Sequence, residues 1–141
     1  NINTDCLWSE TGKELIFNEV DDGEFSTIDE FSSSDQHKNR RLNGRQYKVN
    51  TISLKDLLIK YDAPKLIDYL SIDTEGSEFE ILKNFDFDNF KFRVITCEHN
   101  YNDNREKIYK LLTDNGYIRK FVNISKFEDW YVYEKKLISN I

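Results

Sequence analysis

Ile67-Asp68-Tyr69-Leu70-Ser71-Ile72-Asp73-Thr74-Glu75-Gly76-Ser77-Glu78-Phe79-Glu80-Ile81-Leu82 decides how this sequence is read. A short apolar run ends in an acidic cluster containing one glycine, and a helical pattern starts immediately after it. In α/β proteins, ligands bind just beyond the carboxyl ends of the strands. Asp73, Glu75 and Glu78 fall in that zone. Three carboxylates crowded at a strand tip repel one another and resist desolvation. Their chemistry points to holding a cation, taking a proton or orienting a hydroxyl.

Working outward, 67–73 reads as a strand and 77–84 as a helix capped by Ser77, with Phe79 and Leu82 inward and Phe85 beside them. Phe92-Arg93-Val94-Ile95-Thr96-Cys97-Glu98 is a second β-branched run ending in a carboxylate. If the two strands are neighbours, Asp73 and Glu98 stand about 5 Å apart across the sheet. Asp73, Glu75, Glu98, His99 and Asn100 then converge on one crevice. Asp103 or Asn104 starts a further helix bearing Ile108, Leu111 and Leu112, and Asn115-Gly116 ends it. Residues 117–124 and 130–134 read as two strands pairing antiparallel at a sheet edge. The aromatic group Tyr117, Phe121, Trp130, Tyr131 and Tyr133 is expected to pack between them.

Upstream, residues 2–8 end a strand, Thr11-Gly12 turns, 15–20 is a strand and Asp21-Asp22-Gly23 turns again. Residues 29–46 have little periodicity and read as a long polar loop. Ser53 with Asp56 three positions on is a capping-box variant. It opens a short helix over Leu54, Leu57, Leu58 and Tyr61 that stops near Ala63-Pro64. Alternating strands and helices predict an α/β fold with a mainly parallel sheet.

Bulk properties narrow the function. The 141 residues suit one domain, with 38% hydrophobic and 14% aromatic residues for a core. A net charge of −6 speaks against backbone-driven nucleic-acid binding. No apolar run approaches the roughly 18 residues of a membrane span. No secretory pattern opens the chain. Cys6 and Cys97 lack metal or redox spacing and read as two thiols of a cytoplasmic protein. The sequence has no methionine and begins with Asn1, which suggests a segment of a longer protein.

The stretch 49–85 resembles the signature region of the FkbM-type, S-adenosylmethionine-dependent methyltransferases. Thr51-Ile52-Ser53-Leu54-Lys55-Asp56-Leu57-Leu58 is similar to the family's helix. Asp68 to Lys83 is similar to its strand ending in an acidic turn, with Ile72-Asp73-Thr74-Glu75-Gly76-Ser77-Glu78 at the centre. Val94 to Asn100 resembles the strand ending in glutamate, and Asp129 to Val132 the closing strand. Weaker matches at Cys6 to Gly12 and Gly23 to Ile28 occur in the expected order.

The resemblance implies a Rossmann-like class I methyltransferase sheet, mostly parallel with an antiparallel C-terminal edge strand and truncated at its N-terminus. It implies S-adenosylmethionine as cofactor and a small-molecule or glycan hydroxyl as acceptor. Asp73, ending the presumed fourth strand, would face both. His99 and Glu98 are the other catalytic candidates. Trp8 and Ser9 would flank the adenine. Glu75, Glu78 and Asn100 would orient the acceptor, and His37 with Arg41 would grip an anionic group on it. The family's glycine-rich first turn and ribose-binding acid are not in this sequence, so the segment alone is expected to be inactive. The strand at 67–73 is then expected to be an open edge, favouring oligomers. Two other readings remain: a metal-dependent hydrolase using Asp73, Glu75 and Glu98, and a non-catalytic Rossmann-like binding module.

Overall fold

The computed structural model describes residues 1–134. The N-terminal half forms a sheet of β1 (Cys6–Trp8), β2 (Glu14–Glu19), β3 (Thr27–Ile28) and β4 (Arg45–Ser53), in the order β1-β4-β2-β3. β2 runs antiparallel to both β3 and β4, and β1 runs parallel to β4. The sequence pattern does not show β4, because its first half is charged and exposed. The partner strand answers those charges: Arg45 pairs with Glu19 and Lys48 with Glu14. Such cross-strand pairs contribute roughly 0.2–1 kcal/mol each. The expected loop at 29–46 contains single turns of 3-10 helix at Asp29–Phe31 and Lys38–Arg41, then runs into β4.

α1 (Leu54–Lys60) starts as its capping residues predict, with the Ser53 side chain accepting the Asp56 N–H. The second sheet follows. It contains β5 (Leu66–Ile72), β6 (Lys91–Glu98), β7 (Tyr117–Lys120) and β8 (Glu128–Tyr133), ordered β5-β6-β8-β7. α2 (Glu78–Lys83) links β5 to β6, and α3 (Asn104–Asp114) links β6 to β7. Both helices cover one face of this sheet. Ile81, Leu82, Ile108 and Leu112 bury against Ile72, Ile95, Cys97, Tyr117 and Tyr131, all members of one hydrophobic core. Each such large side chain contributes roughly 1.5–3 kcal/mol by leaving water. Cys6 and Cys97 are free thiols.

The expectation of one mostly parallel Rossmann-like sheet is not met. The strands form two mixed four-stranded sheets, and only β1–β4 and β5–β6 are parallel among the pairings. The three α-helices span seven, six and eleven residues. A parallel pair needs a long crossover, usually helical, whereas antiparallel strands need only a turn. β5–α2–β6 is such a crossover. The connections around β2, β3 and β4 are turns and irregular chain, and they yield antiparallel ladders.

Smaller expectations also shift. β7 stops at Lys120 rather than residue 124. The aromatic group divides: Tyr117 and Tyr131 are core residues, while Phe121 is 60% and Trp130 36% exposed. β5 and β7 are the edge strands of their sheet among the described residues. No described helix is long and apolar enough to cross a membrane.

Candidate functional site at the β5 and β6 strand tips

β5 and β6 pair in parallel, with Ile72 opposite Cys97. The next residue on each chain is therefore an acid at the same end of the sheet. Asp73, Glu75 and Glu98 each offer one oxygen, and these atoms lie within 4.8 Å of one another. Asp73 and Glu98 stand on a cleft of about 640 Å³ walled by Ile72, Phe121, Ile124, Phe127 and Trp130, with Ser71, Ser125 and Lys126 beside them. That volume lies in the usual range for small-ligand sites, about 300–1,000 Å³. Phe121 meets Trp130 edge-on, with ring centroids 6.2 Å apart.

Burial raises Glu98 well above the usual carboxylate range, and its hydrogen bond with Asp73 and the charges of Asp73, Glu75 and Glu78 raise it further. Burial and the neighbouring acids thus favour the neutral form of Glu98. Glu75 is pushed up to about 7, chiefly by burial, with Arg41 opposing and Asp73, Asp35 and Glu78 adding to the rise. Glu78 turns back over the loop. Its Oε1 accepts the N–H groups of Thr74 at 2.7 Å and Gly76 at 3.1 Å, and the Thr74 hydroxyl at 3.0 Å. Glu78 is therefore an internal brace 2% exposed to solvent, away from the cleft lining. Ser77 makes no capping bond; its hydroxyl donates to Thr74 Oγ1 instead.

Backbone strain marks both tips. Glu75 has φ 56°, and Asn100 and Tyr101 have φ 40° and 58°. Non-glycine residues held in this left-handed region concentrate at functional sites. Asn100 itself is half-buried, its N–H reaching the Phe127 carbonyl, and it does not line the cleft.

Other sequence candidates lie elsewhere. His99 is 2% exposed and also off the cleft. Its Nδ1 accepts the Tyr101 N–H, and Nε2 faces Asp129 at 3.8 Å. Burial and the Arg105 charge lower its pKa, so it stays neutral. Burial opposes ionisation of Asp129, but Arg105, bonded through two 2.8 Å contacts, holds it below the usual range. His37 stacks on Phe25 at 4.5 Å. Arg41 is buried among protein acceptors. Trp8 packs against Phe31 at 6.0 Å, and neither it nor Ser9 lines the Asp73 cleft. No local sequence pattern around Asp35 or Lys126 signals a role, and Asp129 is marked only as the start of the closing strand.

The family model described as Methyltransferase FkbM domain matches residues 8–131. The chain belongs to that family. The match takes in both strand-tip acids, the 121–130 wall and the whole first sheet from Trp8 onward. No curated protein and no solved structure matches the chain. Membership of the FkbM methyltransferase family therefore supports methyl transfer in general terms, and Asp73 and Glu98 lie within the matched residues.

Proposed function

We propose that this FkbM domain serves an S-adenosylmethionine-dependent O-methyltransferase whose acceptor is a hydroxyl of a glycan, glycolipid or secondary metabolite. One observation carries the reading: within the family match, parallel pairing of β5 and β6 sets Asp73 beside Glu98 on an aromatic-walled cleft. When bound, S-adenosylmethionine supplies an electrophilic methyl group on a sulfonium. An acid beside the Phe121 and Trp130 rings suits such a cation, since carboxylates and ring faces both attract it. The chain has no glycine-rich strand–turn for the nucleotide part, so the cleft is assigned to the sulfonium end and the acceptor.

Asp73 accepts a hydrogen bond from the acceptor hydroxyl and takes its proton as the oxygen attacks. A placed base contributes about 10²–10⁴-fold. Glu98 donates to Asp73 and fixes which oxygen faces the acceptor. Phe121, Phe127 and Trp130 exclude water and hold the acceptor in line; good alignment alone contributes roughly 7–11 kcal/mol.

A hydrolase reading draws on the three oxygens within 4.8 Å, a set suited to Mg²⁺ or Ca²⁺. Two features weigh against it: Arg41 already bonds Glu75, and burial disfavours the ionised form of Glu98. Calorimetry of S-adenosylmethionine on the full-length protein, with Asp73→Ala as control, separates the readings. Binding that weakens in the variant supports methyl transfer. Absence of binding together with no transfer to any glycan pool ends it, and a Mg²⁺-dependent hydrolysis would put the second reading in its place.

A further inference from the structure

Arg41 carries the most densely bonded buried charge near the site. Its Nε–H donates to the Phe25 carbonyl at 2.7 Å. Nη1 and Nη2 hold Asp35 through bonds of 2.8 and 3.1 Å, and Nη2 also reaches Glu75 Oε2 at 2.6 Å. The Arg41 side chain is 0% exposed and that of Asp35 1%. A planar, always-charged fork is the one side chain able to serve three directions at once. Two of its partners belong to the N-terminal half of the chain, and the third is the loop at the tip of β5.

That loop holds two positive-φ residues and is braced from within by Glu78. Glu75 sits at φ 56° and Gly76 at φ 120°. Two contacts from the first half of the chain hold the strained turn: Arg41 on the Glu75 carboxylate, and Thr27 Oγ1 donating to the Glu75 carbonyl at 2.9 Å. The 3-10 turn at Asp29–Phe31 presses on the same spot. A Cβ on Gly76 would come within 3.0 Å of Ser34 Oγ and 3.1 Å of Phe31 Cβ. The Glu75 carboxylate so fixed stands next to Asp73 and Glu98.

We propose that Arg41 is a positioning residue for the strand-tip site: by gripping Glu75 it sets the shape of the 73–76 loop and hence where Asp73 stands. The proposal deepens the methyl-transfer reading and rests on it for its kinetic consequence only; the geometric claim stands apart. Arg41 touches neither cleft nor acceptor and acts through Glu75. Lysine at this position keeps the charge but cannot bridge Phe25, Asp35 and Glu75 together.

The test uses full-length protein with Arg41→Lys, Glu75→Gln and the double variant, read two ways. In hydrogen exchange, Arg41→Lys is expected to speed exchange of the Thr74, Glu75 and Gly76 amides about tenfold or more, while the β6 and α3 amides keep their protection. Uniform acceleration everywhere, or none at the loop, overturns the proposal, and this holds whether or not the protein transfers methyl groups. Where transfer is measurable, kcat should fall about tenfold in each single variant with KM for S-adenosylmethionine changed less than about twofold, and the double variant should be no worse than the poorer single. Multiplying losses in the double variant, or an unchanged kcat in Arg41→Lys, would show that Arg41 only supports the fold.

Discussion

Arg41 Nη2 lies 2.6 Å from Glu75 Oε2, joining the N-terminal half of the chain to the acidic tip of β5 in the second sheet. The same guanidinium is chelated by Asp35. Removing one partner of such a buried network leaves an uncompensated charge. Arg41→Met is therefore expected to destabilise the protein by about 3–5 kcal/mol. Chemical denaturation should show a lower midpoint with an unchanged slope. A midpoint equal to the parent's would mean the bridge contributes little.

Gly76 makes a separate prediction. Its φ of 120° is open to glycine alone in practice, and an added Cβ meets Phe31 and Ser34. Gly76→Ala should cost about 1–3 kcal/mol. Gly12 has φ 83° but nothing within 4 Å of an added Cβ. Gly12→Ala should therefore cost less, and thermal melts of the two variants side by side check the order.

Glu75 gives a pH dependence with a definite sign. Its folded-state pKa of about 7 lies above the ordinary 4.5. The folded protein thus binds this proton more tightly than the unfolded chain. The group's contribution to stability is complete below the ordinary value and is lost as pH rises through the folded one. His99, whose pKa is lowered, acts in the opposite direction. A comparison of variants removes that background. The melting temperature of Glu75→Gln minus that of the parent should rise between about pH 5 and about pH 8. A difference that stays flat would contradict the raised pKa.

Among the described residues β5 pairs on one side only, with Leu66 42% and Tyr69 53% exposed. Exposed apolar edges template pairing with another strand. Size-exclusion chromatography of this chain should show concentration-dependent association, reduced by Tyr69→Lys. A well-behaved monomer at all concentrations would mean the edge is protected by its own short length.

The sequence revealed the second half of the molecule better than the first. Ser53 and Asp56 marked the start of α1, and the apolar runs marked β5 and β6, because these signals are local. The parallel pairing that brings Asp73 to Glu98 followed from the crossover between them. β4 was hidden because Arg45 and Lys48 find their partners on β2, far away in sequence. The two-sheet architecture was hidden for the same reason, since strand order depends on contacts between distant segments. The polar loop around Arg41 gave the opposite lesson. Its charges suggested an outward-facing anion grip, yet the arginine turns inward, because Asp35 and Glu75 meet it only in the folded chain.

In the proposed methyl transfer, Asp73 takes the acceptor proton. The most direct measurement is transfer of labelled methyl from S-adenosylmethionine to a glycan and lipid pool by full-length protein and by Asp73→Asn. Transfer by the parent is expected, with a loss of about 10²-fold or more in the variant and folding intact. Equal transfer by both proteins, or none by the parent, would contradict it.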